Sequence, residues 1–236
     1  MDRDLARRAT AEAVGTALLV AIVVGSGISA QRLSPNDVGL QLLENSIATG
    51  AGLVALILAL GPVSGAHFNP VVTMADRILG GTTNRDAGVY VIVQFAGACV
   101  GAMVANVMFE LPAVDVSTHV RSSGALWLGE VVATFGLLLV ILGVVRAGRA
   151  NAAAFAVGGY IAAAYWFTSS TSFANPAVTV GRSLSNTFAG IAPSSVPMFV
   201  VMQVIGALLA VALGAFLFPG LPAADLVVPH ESPETP

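Results

Sequence analysis

The chain has 236 residues, of which 56% are hydrophobic and only 10% charged, with a formal net charge of −3. A soluble domain of this size carries about a quarter charged residues to solvate its surface. The composition therefore excludes a soluble enzyme, a nucleic-acid binder and a disordered chain, and leaves channel, transporter and membrane-embedded enzyme open.

The charges are bunched. Residues 13–31, 45–75, 87–109, 150–181 and 183–224 carry none, and 122–145 is interrupted only by Glu130. About 20 apolar residues cross a bilayer core, so these gaps read as membrane spans. In chain order, a charged segment at 1–8 comes first and a full-length apolar run follows it. This is the pattern of a retained cytoplasmic N-terminus, not of a short cleavable leader. Spans are expected at 9–30, 40–61, 87–109, 124–146, 150–168 and 196–218. They must be helices, because lipid offers no partner to backbone N–H and C=O groups. Surplus apolar sequence rich in Gly, Ser, Pro and Asn lies at 62–80 and 169–195. It is too apolar for ordinary loops and too broken for spans, so re-entrant segments are expected there. The proline-rich, acidic end at 219–236 (Asp225, Glu231, Glu234) reads as a disordered cytoplasmic tail.

An internal repeat organises these elements. Glu12-x-x-x-Thr16 recurs as Glu130-x-x-x-Thr134. Asn69-Pro70-Val71-Val72-Thr73 recurs as Asn175-Pro176-Ala177-Val178-Thr179, and Gln94-x-x-Gly97-Ala98 as Gln203-x-x-Gly206-Ala207. Three anchors in one order imply two homologous repeats, 9–115 and 124–218, joined by a linker at 116–123. Each has three spans, so the two insert with opposite orientation, and a pathway is expected at their interface near the midplane. Arg3, Arg7, Arg8, Arg77, Arg85, Arg146 and Arg149 fall on one side, against Arg32, Arg121 and Arg182 on the other. The Arg-rich side is cytoplasmic, which places both termini there.

The chemistry concentrates at the two Asn-Pro segments. Pro is tolerated in the first helical turn, and Asn before it is a good N-cap. Half-helices are expected at 69–79 and 175–187, entering from opposite faces and meeting at the midplane. Their positive ends would oppose cations and protons, while the two Asn amides donate hydrogen bonds to passing solutes. Glu12 and Glu130 are the only charges deep in their spans. They suit either a proton relay or a support that accepts N–H bonds from the re-entrant loops. Their symmetry, and the lack of further ionisable residues to continue a relay, favour support. His67, directly before the first Asn-Pro, reads as a loop brace, with a gate or a ligand as the other readings. His119 and His230 are too scattered to complete a metal site with it. Cys99 is alone in an apolar run and excludes a disulfide framework. No metal, cofactor or catalytic group is expected, and no nucleic acid.

The stretches Ser64-Gly65-Ala66-His67-Phe68-Asn69-Pro70-Val71 and Phe173-Ala174-Asn175-Pro176-Ala177, with Glu12 and Glu130, resemble the signature elements of the aquaporin/aquaglyceroporin (major intrinsic protein) family. The resemblance covers about residues 9–218. It implies an all-α membrane protein: six transmembrane helices and two half-helices, one pore per protomer, and a homotetramer in the plasma (bacterial inner) membrane. The constriction would lie at Asn69, Pro70, Val71, Asn175, Pro176 and Ala177.

Carried over from each Asn, the family's four selectivity-filter positions fall on Thr49, Ala163, Ser172 and Val178. Typical members have Arg after the second motif, where this chain has Val178. Water-selective ones also have an aromatic residue and a His, against Thr49 and Ala163 here. This predicts a wide, weakly polar, uncharged ring that admits small neutral polyhydroxyl solutes. Thr49 with Val178 is similar to the bacterial branch associated with arsenic-resistance operons, whose solutes are arsenous acid and related arsenicals. Arg182, one helical turn after Val178, acts either as a displaced filter cation or as an interface snorkel. Asn45, one turn from Thr49, is a candidate for the same vestibule. The expected function is a passive channel for small neutral solutes. The alternatives are a broad water and glycerol facilitator without a metalloid role, and a proton-coupled secondary transporter.

Overall fold

The computed structural model describes residues 3–218, and the expected tail at 219–236 lies outside them. Eight α-helices follow in order: α1 (Arg3–Leu33), α2 (Val38–Ser64), α3 (Pro70–Ile78), α4 (Asn84–Met108), α5 (Gly124–Arg146), α6 (Ala153–Phe167), α7 (Pro176–Arg182) and α8 (Val196–Leu217). Two 3-10 turns, Ala150–Ala152 and Pro193–Ser195, precede α6 and α8.

Among the described residues, five helices are long and apolar enough to cross a membrane. The sixth crossing helix, α6, has only 15 α-helical residues. The span expected from 150 begins instead as the 3-10 turn. At the other end of the chain, α1 starts at Arg3 rather than near 9. Its first turns are tied down by ion pairs from Arg8 to Asp4 (2.7 Å) and to Asp86 of α4 (2.8 Å). At 31 residues it is about 46 Å long, longer than a hydrocarbon core. Apolar side chains such as Leu18, Ile92, Phe155, Leu209 and Phe216 cover the exterior, as lipid requires.

The repeat is visible in the packing. Helix α1 packs on α4 and α2 as α5 packs on α8 and α6, and α2 meets α6 across the halves. The closest seams are made by missing side chains. A Cβ at Gly97 would lie 2.3 Å from the Ala13 carbonyl oxygen, and one at the repeat position Gly206 2.5 Å from that of Val131. Small residues bring backbones together where lipid supplies no hydrophobic drive between helices. The half-helices α3 and α7 each pack against long helices of both halves, α4 and α8, so they plug the centre of the bundle.

One other boundary differs from expectation. Helix α7 ends at Arg182 rather than 187, because Ser183 and Leu184 turn back with i→i+3 bonds to Val180 and Gly181. The linker at 116–123 is also bonded, at its start, to the second repeat. Asp115 N donates to Leu184 O, Ser117 N to Ser183 O, and Ala192 N to His119 O. These bonds strap residues 115–119 to the chain leaving α7.

Candidate pore

The segments before the two half-helices have the same unusual backbone. Gly65 ends α2 at φ 82°, and Ala66 and Phe68 follow at φ 50° and 48°. In the second half Thr171, Ser172 and Ala174 take φ 61°, 51° and 49°, each at its repeat-equivalent position. A left-handed conformation costs an L-residue about 1–2 kcal/mol, so both segments need external support.

Glu12 and Glu130, both fully buried, supply it. Glu12 Oε1 accepts from Ser64 Oγ (2.7 Å) and His67 N (3.0 Å), and Oε2 from Phe68 N (2.7 Å) and Gln94 Nε2 (2.8 Å). Glu130 accepts from Phe173 N (2.9 Å), Ala174 N (3.0 Å) and Gln203 Nε2. Each Gln also donates to a half-helix Thr, Gln94 to Thr73 and Gln203 to Thr179. The carboxylates are thus filled by donors that fix the loops. His67 completes the first brace through Nδ1 on Thr73 Oγ1 (3.1 Å) and an edge contact with Tyr90, whose hydroxyl donates to Ser64 O.

So held, the two segments meet. Asn69 Nδ2 donates to Ala174 O and Asn175 Nδ2 to Phe68 O, both at 2.8 Å. Asn69 Oδ1 accepts from Val71 N, and Asn175 Oδ1 from Ala177 N and Val178 N. Each amide therefore caps its own helix and grips the opposite loop, which leaves one N–H per Asn for the lumen. Pro70, Val71, Pro176 and Ala177 form the first turns behind the Asn pair and do not face the cavity.

A narrow cavity runs past this crossing. Its volume is about 60 Å3, against about 10–15 Å3 for one water. On the α3 side Ala66, His67 and Val72 line it; on the α7 side their repeat equivalents Ser172, Phe173 and Val178 do. Leu53, Ile57, Ile141, Val157 and Ile161 make the remaining wall largely apolar.

Among the four expected filter residues, Thr49, Ser172 and Val178 lie on the cavity wall, and Ala163 does not. Ala163 is exposed on the outside of α6. The cavity face of α6 carries Val157, Ile161 and Tyr165, spaced by four, and Ala163 sits two residues from that stripe, on the far side of the helix. From α6 it is Tyr165 that reaches the cavity near Thr49, its hydroxyl 3.2 Å from Thr49 Oγ1. Asn45 is also absent from the cavity. It points to α1, where Nδ2 donates to Val23 O (2.9 Å) and Ser26 Oγ (2.8 Å).

Arg182 is on the wall, 2% exposed. Its Nε donates to Ala189 O, and its guanidinium carbon lies 3.4 Å from the Phe173 ring centroid. This is a stacked, inward-held side chain and not an interface snorkel. The cavity wall that holds Thr49, Ser172 and Val178 therefore also carries a guanidinium and aromatic rings, which the four expected positions do not include. Tyr165 and Phe173 went unassigned in the sequence, although the fourfold spacing on α6 and the repeat match of Phe173 to His67 both mark them.

The family profile described as Major intrinsic protein matches residues 2–168. The chain belongs to the major intrinsic protein family. A major intrinsic protein is a membrane channel and not an enzyme. The chain is 52% identical to aquaglyceroporin AqpS of Rhizobium meliloti, over 98% of this chain and 97% of that protein. It is 31% identical to the probable aquaporin AqpM of Archaeoglobus fulgidus, over 92% and 99%. Among solved structures, the aquaglyceroporin from Plasmodium falciparum superposes with a TM-score of 0.68 at 22% identity, covering 92% of this chain and 97% of that one. That likeness establishes the aquaporin fold.

Proposed function

We propose that the protein is a passive, bidirectional channel for small neutral hydroxylated solutes: glycerol-like polyols, arsenous acid and related arsenicals, with some water. The observation that carries this reading is the reciprocal Asn–carbonyl crossing at 2.8 Å. It leaves one amide N–H on each side of the crossing, enough to hand a hydroxyl oxygen along but not to replace an ion's hydration shell. Polar groups gather on the α7 side, where Thr49, Tyr165, Ser172 and Arg182 share the wall. An arsenous acid molecule and a glycerol molecule present the same feature there, several hydroxyls and no charge. The relatives named as aquaglyceroporins point the same way.

A proton-coupled transporter needs a chain of titratable groups. Among the residues lining the cavity only His67 and Arg182 are ionisable by their side-chain type, aside from Tyr165. The two glutamates are filled by loop donors. In the same reading the channel is a homotetramer in the bacterial inner membrane, with both termini and the α3 side cytoplasmic. Solute entry into proteoliposomes tests it: water, glycerol, urea and arsenous acid equilibrate without accumulation. Exclusion of glycerol and arsenous acid alongside fast water flux would contradict it.

A further inference from the structure

We infer that Arg182 supplies the fixed positive charge of the constriction, standing one helical turn beyond Val178 and held in place by Phe173. This rests on the channel reading and adds to it the group that excludes cations and orients the solute.

Residue 182 follows Val178 by four positions, so both lie on one face of α7, with the Arg182 Cα about 5.4–6 Å farther from the midplane. Side chains on a helix lean back toward its N-terminus. A long side chain at 182 therefore returns over the turn that Val178 leaves bare. The contact with Phe173 fixes how far it returns. Phe173 precedes Asn175 by two residues, follows Ser172 directly, and faces the cavity; the guanidinium lies 3.4 Å from its ring centroid. The ring is itself immobilised, edge to face against Phe199 at 5.2 Å and with its backbone N–H on Glu130.

The charge is not spent elsewhere. Arg182 forms no ion pair among the described residues, and its one hydrogen bond there, from Nε to Ala189 O, leaves both terminal amino groups without a protein acceptor. Beside it, Ser172 Oγ is buried on the same wall with no hydrogen-bond partner among the described residues. A guanidinium with free donors next to an unpartnered hydroxyl is matched to a small neutral molecule carrying at least two oxygens. It repels a bare cation entering from the α7 side. Arg121 reinforces the field, its guanidinium carbon 5.2 Å from the same ring centroid while its Nε bonds Gly190 O.

The test is the sodium-to-glycerol permeability ratio in proteoliposomes, a ratio that does not depend on how much protein folds. Arg182→Gln keeps a polar donor and removes the charge; it should raise the ratio about tenfold or more. Arg182→Lys should bring it back to near the wild-type value. A ratio unchanged in Arg182→Gln, whether or not both fluxes fall, assigns Arg182 to bracing Ala189 and overturns the inference. A Lys variant as leaky as the Gln variant overturns it too, because charge is then not what excludes the cation. If the wild type passes no glycerol, it is the channel reading that fails.

Discussion

Replacing Glu12 by Gln should break the first re-entrant loop, and the cost follows from the donors counted on that carboxylate. A Gln amide has one acceptor oxygen. Its best placement puts the oxygen where Oε2 now accepts from Phe68 N and Gln94 Nε2, and the amide nitrogen toward Ser64 and His67. Ser64 can turn its hydroxyl to accept, but then its own O–H and the His67 N–H are both left without a partner. Two buried orphan donors cost about 2–6 kcal/mol. The strain that the carboxylate holds in Ala66 and Phe68 is about 2–4 kcal/mol. The two magnitudes are comparable, so the loop should relax out of its left-handed conformation and carry Phe68 O away from Asn175 Nδ2. Glu130→Gln has a comparable defect: with its oxygen on Ala174 N and Gln203 Nε2, its own amide N–H groups face the Phe173 N–H, and both donors lack an acceptor, at about 1–3 kcal/mol for each orphan. The assay is thermal unfolding in detergent with water flux in proteoliposomes. Both variants should show a lower Tm and a loss of flux. A Glu12→Gln protein as stable and conductive as wild type would refute the reasoning.

Two further substitutions probe the α7 side. Tyr165→Phe removes the hydroxyl that meets Thr49 Oγ1 at 3.2 Å, at a stability cost of about 0.5–1.5 kcal/mol. It widens the ring by one oxygen and frees Thr49, so the glycerol-to-water permeability ratio should rise; an unchanged ratio would place Tyr165 outside the constriction. Ala163→Trp adds bulk to an exposed position on α6 and should leave glycerol flux within about twofold of wild type, since the indole faces away from the lumen. A blocked channel would restore Ala163 to the filter.

The outline of the fold was legible because lipid permits so few solutions. Apolar runs that long must be helices, and surplus length with Asn-Pro must double back. The repeat then places Asn69 against Asn175 and Glu12 against Glu130. What could not be counted out was helix rotation. The position of Ala163 depends on carrying a register from Asn175 back through Thr171, Ser172 and Ala174, three residues in left-handed conformation, into α6. A slip of two residues turns the helix by more than half a circle, and Tyr165 faces in instead. Asn45 has the right spacing from Thr49, but its amide finds a carbonyl and a hydroxyl on α1 before it finds the lumen. The end of α7 at Arg182 likewise depends on the strap from residues 115–119, a contact between distant segments that no local pattern announces.

The central claim is a passive path for neutral solutes, with no coupling to protons. Glycerol exchange across proteoliposome membranes under an imposed proton gradient tests it most directly. Downhill flux of equal rate in both directions, ending at equal concentrations whether or not the gradient is present, is the predicted result. Accumulation of glycerol above its external concentration, abolished when the gradient is collapsed, would contradict it.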